Sequence, residues 1–183
     1  VADSCWPVRR TLPTVDHLFI GVLQTLEPEG QRTGLFKEPV TRAMIRRSGL
    51  VGDHPADRRS HGGPEKAVHQ YPPDHYPRIA ARFPAAAHHA VPGAMGENLA
   101  SAGMTERTVC LGDRYRLGEA ELEVSQPRTP CWKLNHRFGE ERLSQFVRAE
   151  RITGWYYRVI REGLVERGAA ITLRARPNPD WTL

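Results

Sequence analysis

The sequence predicts a mainly β fold, a barrel or a sandwich, with only a few helices. Short apolar segments with strand-like patterns recur along the chain and are separated by turns, whereas only two segments have helical spacing. Strands and helices therefore do not alternate as they would in a doubly wound fold. A length of 183 residues is enough for one well-buried core. We expect a single domain over residues 1–175 and a proline-rich exit over residues 176–183.

The first half of the chain combines apolar strand-like runs with polar, glycine-containing connections. Asp74 is suited to cap a helix, since the apolar residues after it have helical spacing and a proline lies in the first turn. The expected elements are a strand over residues 17–26, a connection over 27–38, a loop over 50–64, a short strand over 66–71 and a helix over 74–83.

Residues 114–124 predict a β-hairpin. Apolar residues occupy odd positions before Gly118 and even positions after Glu119, and a two-residue turn explains this change of phase. The hairpin delivers the chain directly into a loop that contains Cys131. Beyond that loop, the pattern predicts a helix over residues 140–153, a strand over 155–160, a turn at 162–163 and a strand over 170–173.

The loop over residues 125–135, SQPRTPCWKLN, presents one thiol between two cations. Pro127 and Pro130 fix the backbone and remove amide donors, so this stretch must leave the sheet, and Cys131 is expected to project at a strand end. Arg128 and Lys133 favour a thiolate, which is the better nucleophile or metal ligand. The alternative is a buried, inert cysteine.

Composition limits the possible function classes. The chain has a formal charge of +5, but its arginines are scattered, so its charge pattern does not favour nucleic-acid binding. Only three lysines occur, at positions 37, 66 and 133, and the last two lie in the motifs described below. No apolar run is long enough to cross a bilayer, and the first residues lack the apolar segment of a signal peptide. We expect a cytoplasmic protein without a membrane partner.

The three cysteines, Cys5, Cys110 and Cys131, are widely and irregularly spaced. This spacing fits neither a disulfide framework nor a paired zinc motif, and three thiols cannot supply the four ligands of an iron–sulfur cluster. A reducing compartment follows, and electrons for any redox reaction must come from elsewhere.

Two further blocks resemble ligand-binding loops: HGGPEKAVHQY at residues 61–71 and MGENL at residues 95–99. Glycines in the first block allow close backbone approach to a ligand, and its His61, Lys66 and His69 can donate to phosphate or pterin-like atoms. Taken alone, the first block is equally well explained as a surface turn with an edge strand. The second is better explained as a turn in which Asn98 satisfies local backbone groups.

In this order, the blocks resemble the MOSC domain family, the molybdenum cofactor sulfurase C-terminal domains. The similarity is to stand-alone members like the N-hydroxylaminopurine resistance protein. It rests on HGGPEKAVHQYPPDHY at residues 61–76, MGENL at 95–99, VCLGDRYRLGEAELEVSQPRTPCWKLN at 109–135 and GWYYRVI at 154–160. Residues before Leu50 match more loosely. Met95 stands where relatives more often have an aromatic residue, which is expected to alter packing but not the ligand set.

The resemblance implies a closed β-barrel of the pyruvate kinase barrel type, with a few peripheral helices. It implies that Cys131 ligates the molybdenum of a molybdopterin cofactor. The candidate contacts to the cofactor's phosphate and ring edges are His61, Lys66, His69, Asn98, Arg128 and Lys133. The implied reaction reduces a small N-hydroxylated base or hydroxylamine to the amine and water, with a separate electron-donating reductase as partner. Larger relatives continue into a small helical segment after the exit.

Other functions remain open. Cys131 could carry a persulfide received from a pyridoxal-phosphate desulfurase, which fused relatives of the family suggest, or the domain could only store or deliver molybdenum cofactor. A zinc site built from the eight histidines is disfavoured, because no helix carries a His pair four residues apart. Hydrolase chemistry is unsupported, since no Gly-x-Ser-x-Gly elbow or Cys–His pairing is visible.

Overall fold

A curled eight-stranded sheet organises the chain. The computed structural model describes residues 12–54, 56 and 62–183; His61 and Cys5 lie outside this part. Its strands are β1 His17–Gly21, β2 Gln24–Leu26, β3 Gln31–Thr33, β4 Lys37–Val40, β5 Arg42–Arg46, β6 Gly49–Leu50, β7 Val68–Tyr71, β8 Leu99–Ala100, β9 Arg114–Leu117, β10 Ala120–Pro127, β11 Trp155–Arg161, β12 Gly163–Glu166 and β13 Ile171–Ala175.

The large sheet has the order β13-β9-β10-β11-β7-β8-β1-β4, and a three-stranded sheet, β12-β5-β6, and the β2-β3 ribbon accompany it. Its pairings are antiparallel except for the one between β7 and β8. The helices are α1 Tyr76–Arg82, α2 Trp132–Phe138 and α3 Leu143–Ala149, with 3₁₀ helices over Pro64–Lys66, Pro73–His75 and Pro84–His89. In the described residues, no helix is long and apolar enough to span a membrane. The described residues form thirteen strands and only three short α-helices, so the mainly β prediction is correct.

The predicted closure of the barrel is wrong for the strands that the structure describes. The large sheet ends at β13 on one side and β4 on the other, and these two strands do not pair. A single bridge joins Thr14 to Ala170, next to bonds from the Ile171 amide to the Pro13 carbonyl and from the Val15 amide to the Ala169 carbonyl. Because Pro13 has no amide hydrogen, it cannot donate to a ladder here.

The buried apolar residues form two hydrophobic cores. The first fills the curl of the large sheet and contains Leu18, Leu99 and Trp155; the second packs the three α-helices against Tyr71 and Met95. Met95 is fully buried in this second core. The three helices therefore share one core with Tyr71 of β7.

The hairpin prediction is confirmed: Ala120 pairs with Leu117 across the Gly118–Glu119 turn. The strands expected near residues 66–71, 155–160 and 170–173 are also present. The expected strand over residues 17–26 is instead two strands in different sheets. Val22 and Leu23 between them are exposed, so the apolar run did not mark continuous burial. The expected connection over 27–38 contains β3 and the first residues of β4.

The helices differ in detail from the prediction. Helix α1 begins at Tyr76, and Asp74 does not cap it, because the Asp74 carboxylate accepts from the Gly103 amide. Helix α3 is shorter than the expected helix over 140–153. The sequence did not predict helix α2, which begins directly after Cys131.

Candidate functional site

The predicted site residues converge on one cleft at the junction of the two cores. The cleft is open to solvent, has a cavity volume of about 90 Å³ and is walled by Leu35 of the second core and Ala67 of the first. Six of the predicted site residues line it: Lys66, His69, Asn98, Arg128, Cys131 and Lys133. The seventh, His61, lies outside the described residues. The chain folds so that blocks more than 60 residues apart in sequence share one wall.

Cys131 occupies the N-cap position of helix α2, with φ −121° and ψ 165°. Strand β10 ends at Pro127, and the loop with two prolines carries the chain from the sheet edge to the helix. The thiol is half-buried, whereas Cys110 is buried away from the cleft, with its Sγ 3.4 Å from the Pro179 carbonyl. Cys131 is thus a cleft cysteine on a stiff support rather than a core residue.

Arg128 places a buried positive charge in the same wall. Its backbone amide donates to the Gly154 carbonyl at 3.0 Å, which fixes the loop against β11. Its side chain is nearly inaccessible to solvent, and its Nη1 finds no hydrogen-bond partner among the described residues. A buried guanidinium with an unused donor is costly unless an anion or a carbonyl group meets it.

Asn98 has its side-chain amide engaged within the protein. Its Oδ1 accepts from the His69 amide at 3.1 Å, and its Nδ2 donates to the Phe19 carbonyl and to Asp53 Oδ2 at 3.3 and 2.9 Å. The Asn98 backbone also forms hydrogen bonds to Phe19 of β1 and His69 of β7. Asn98 therefore holds β1, β7 and Asp53 in register at the floor of the cleft.

His69 and Tyr156 present adjacent rings from paired strands. They are cross-strand partners in β7 and β11, and their ring centroids lie 5.3 Å apart at an angle of 45°. Both line the cleft. The sequence prediction included His69 but not Tyr156, although the aromatic pair Tyr156–Tyr157 stands in the GWYYRVI block that carried the family resemblance.

Lys133 ties helix α2 to the β2–β3 ribbon. Its Nζ donates to the Arg32 carbonyl at 2.6 Å, and one turn later Arg137 Nη1 donates to the Leu35 carbonyl at 2.6 Å. Lys66 lines the cleft from the end of the 3₁₀ helix Pro64–Lys66. The two lysines thus approach the cleft from separate parts of the chain.

The sequence prediction missed an ion pair in the cleft. Lys37 Nζ lies 2.6 Å from Asp53 Oδ1 and 2.8 Å from Oδ2. Burial lowers the pKa of Lys37, and the Asp53 carboxylate partly opposes this effect. Lys37 is one of three lysines in the chain, and the other two lie in the recognised motifs. The rarity of lysine was therefore the signal that could have identified Lys37.

Glu97 is a buried acid next to two residues of the cleft lining. Glu97 Oε1 accepts from the Tyr76 hydroxyl at 2.8 Å and from the Gly93 amide at 2.6 Å, while the neighbouring residues Gly96 and Asn98 line the cleft. Burial raises the pKa of Glu97. The MGENL block therefore shapes the cleft wall with residues on both sides of an inward-facing carboxyl group.

The charge of the described cleft lining is strongly positive. Lys37, Lys66, Arg128 and Lys133 contribute cations, whereas Asp53 is the single carboxylate among the described lining residues and is bonded to Lys37. This arrangement favours an anionic ligand next to the Cys131 thiol.

A protein-family model described as the MOSC domain matches residues 57–172. The Bacillus subtilis protein YflK is 44% identical over 166 residues, which is 89% of this chain and 74% of YflK. A protein from Gibberella moniliformis named "Reductase" is 46% identical over 138 residues, or 74% of this chain but 24% of that protein.

Protein YiiM of Escherichia coli is 40% identical over 160 residues, covering 87% of this chain and 71% of YiiM. Its crystal structure superposes with a TM-score of 0.73 over 91% of this chain and 72% of that one, at 36% identity. The family model covers more than half of the chain, and YflK and YiiM are each matched over more than two thirds of their length. The chain belongs to the MOSC domain family.

Proposed function

We propose that the cleft binds a molybdopterin cofactor, that Cys131 ligates its molybdenum, and that the protein reduces N-hydroxylated bases or hydroxylamines to amines. The observation that carries this proposal is the juxtaposition of a half-buried thiol with a buried guanidinium whose Nη1 has no partner in the described part of the chain. A thiolate suits a high-valent metal, and a guanidinium suits the phosphate of a pterin.

The cleft residues fit such a group. Arg128, Lys66 and Lys133 would face the phosphate, and His69 and Tyr156 would contact the ring system. Gly34, Gly62 and Gly96 in the lining have no side chains, so backbone groups can approach a flat ligand closely. Asn98 would act indirectly, since its amide is already bonded to protein groups.

The cofactor would supply two-electron chemistry at the metal, and the protein would supply binding, orientation and protons. In the proposed reaction, R–NH–OH takes up two electrons and two protons and gives R–NH₂ and water. The electrons would come from a separate reductase. The Gibberella relative supports this requirement, because a protein named "Reductase" contains a segment like this chain within a much longer sequence.

Metal and pterin analysis of the purified protein tests the proposal. Protein from a molybdenum-replete host should contain molybdenum and a fluorescent pterin, and Cys131→Ser should lower both and abolish the reduction of N-hydroxylated bases. Cys110→Ser is the matched control, because Cys110 is buried outside the cleft; it should retain the metal and the activity.

Full activity in Cys131→Ser would overturn the reductase proposal. Wild-type protein that carries labile sulfane sulfur on Cys131 and no molybdenum would instead support a persulfide carrier that works with a pyridoxal-phosphate desulfurase. Molybdenum and pterin without reductase activity would support a storage or delivery module.

A further inference from the structure

Lys37 and Asp53 form a buried ion pair inside the cleft that holds Cys131. Their side chains are 7% and 11% exposed, and Lys37 Nζ contacts both carboxylate oxygens. Buried ion pairs contribute little net stability, because desolvation of the two charges offsets their attraction. The pair therefore calls for an explanation beyond the stability of the fold.

The carboxylate is held rigidly by groups other than Lys37. The Gly21 amide donates to Asp53 Oδ1 at 2.6 Å, and Asn98 Nδ2 donates to Oδ2 at 2.9 Å. A carboxylate that accepts this many hydrogen bonds is fixed in place. Asp53 thus anchors the Lys37 ammonium at one position in the cleft wall.

The ammonium group has a donor to spare. Of its three hydrogens, two serve the Asp53 oxygens, and the described residues offer no partner for the third. Since Lys37 lines the cleft, this hydrogen is available to a bound molecule.

We propose that Lys37 is the general acid of this cleft and that Asp53 and Asn98 are its positioning residues. This inference rests on the proposed function. Reduction of R–NH–OH breaks its N–O bond with two electrons, which the bound molybdopterin cofactor would supply and a separate reductase would replace. Lys37 gives one proton to the nitrogen, solvent gives the second proton to the oxygen, and the products are R–NH₂ and water. The neutral Lys37 amine then regains its proton from solvent.

The electrostatic surroundings favour this role. Burial lowers the pKa of Lys37, Asp53 and Glu97 oppose this change, and Arg128 reinforces it. An ammonium with a lowered pKa is a stronger acid, as a proton donor requires. The rate should therefore fall as the pH rises through the pKa of Lys37.

Kinetics of the cofactor-loaded protein test the proposal. Lys37→Met should lower kcat by about 100-fold or more while molybdenum and pterin content are retained. Asp53→Asn should move the alkaline limb of the kcat profile to lower pH, because it removes the charge that raises the pKa of Lys37. Arg148→Met is the comparison variant: it removes an exposed cation of α3 outside the cleft and should leave the position of that limb unchanged.

A second measurement does not depend on activity. Because the chain has three lysines, protein labelled with ¹⁵N-lysine gives at most three side-chain signals, which single Lys→Arg variants assign. The Lys37 signal should titrate below the value of a free lysine, about 10.4, and lower still in Asp53→Asn. In the wild type, its midpoint should coincide with the alkaline limb of kcat.

The outcomes separate the two proposals. If the wild-type protein holds no molybdenum or reduces no N-hydroxylated compound, the proposed function fails, and the proton-donor role fails with it, whatever the NMR titration shows. If the wild type is active and Lys37→Met keeps its kcat and its alkaline limb, Lys37 is not the proton donor. Should Lys37→Met lose the cofactor, Lys37→Arg decides: it keeps the charge but is a poor acid, so full activity in that variant overturns the inference.

Discussion

Arg128 is a buried cation with a hydrogen-bond donor that is unused among the described residues. Its side chain is 5% exposed and its Nη1 has no hydrogen-bond partner in the part of the chain that the structure describes. Stability alone does not favour such an arrangement, since an unpaired buried charge costs free energy. Sites that bind anions commonly accept this cost, because the ligand supplies the missing partner.

Replacing Arg128 should therefore separate binding from stability. In Arg128→Met, we expect the unfolding free energy to be unchanged or about 1 kcal/mol higher, while the rise in Tm that inorganic phosphate gives the wild type disappears. Thermal unfolding with and without phosphate measures both effects. Arg148→Met, which removes an exposed cation from α3, should retain the phosphate effect. A marked loss of stability in Arg128→Met without phosphate would contradict this assignment.

Between helix α3 and strand β11, Gly154 joins the Cys131 loop to the sheet. Its amide donates to Glu106 Oε1 at 2.7 Å, and its carbonyl accepts from the Arg128 amide. Glu106 also contacts His75 Nε2 at 2.6 Å, so the contact chain runs from the start of α1 to the loop. Gly154 has a φ of +68°, and a Cβ there would overlap the Gln70 carbonyl oxygen.

Gly154→Ala should lower the free energy of unfolding for two reasons, backbone strain at a positive φ and overlap with the Gln70 carbonyl. Gly139 is a control that isolates the backbone strain. Gly139, at the end of α2, has a φ of +62° with open space around it. Gly139→Ala should lose about 1 kcal/mol from backbone strain alone, and Gly154→Ala about 3 kcal/mol or more. Urea unfolding of both variants measures the difference. Equal losses would show that the close approach to Gln70 has no energetic consequence.

Asp113 connects the residues after β13 to the large sheet. Its fully buried carboxylate accepts from the Cys110 amide, the Tyr115 hydroxyl and the Arg176 guanidinium, the last at 2.9 and 2.7 Å. Burial opposes ionisation of Asp113, but these hydrogen bonds outweigh it and hold its pKa below the usual range. The exit predicted from the prolines is therefore anchored where it begins.

This anchor should make stability depend on pH. Because the pKa of Asp113 is lower in the folded state, its contribution is present above the unfolded value, about 3.9, and is lost as the pH falls through the folded value. Arg176→Gln should cost about 2 kcal/mol at neutral pH, and this difference from the wild type should shrink below pH ~4.

Urea unfolding between pH 3 and pH 7 measures this dependence. In an Asp113→Asn background, Arg176→Gln should have little further effect, because the charge that it serves is gone. A cost that stays constant across the pH range would show that Arg176 acts by packing and not through Asp113.

Short-range patterns were predictable from the sequence where local chemistry decides the structure. The β9–β10 hairpin follows from a change of phase around Gly118–Glu119, and the end of β10 follows from Pro127. Cys131, Lys66, His69, Asn98, Arg128 and Lys133 were also named from their motifs, and the described structure brings them together in one cleft.

The tertiary structure decided what depends on contacts distant in sequence. Lys37 and Asp53 lie in separate segments outside those motifs, and only the packing of β4 against the loop after β6 brings them together. The division of residues 17–26 between two sheets and the open edge between β13 and β4 likewise depend on which strands meet. Local sequence determined the turns, the strand period and the departure of the Cys131 loop from the sheet, because those follow from neighbouring residues. Long-range pairing decided the shape of the sheet and the ion pair in the cleft, because no local pattern specifies which strands become neighbours.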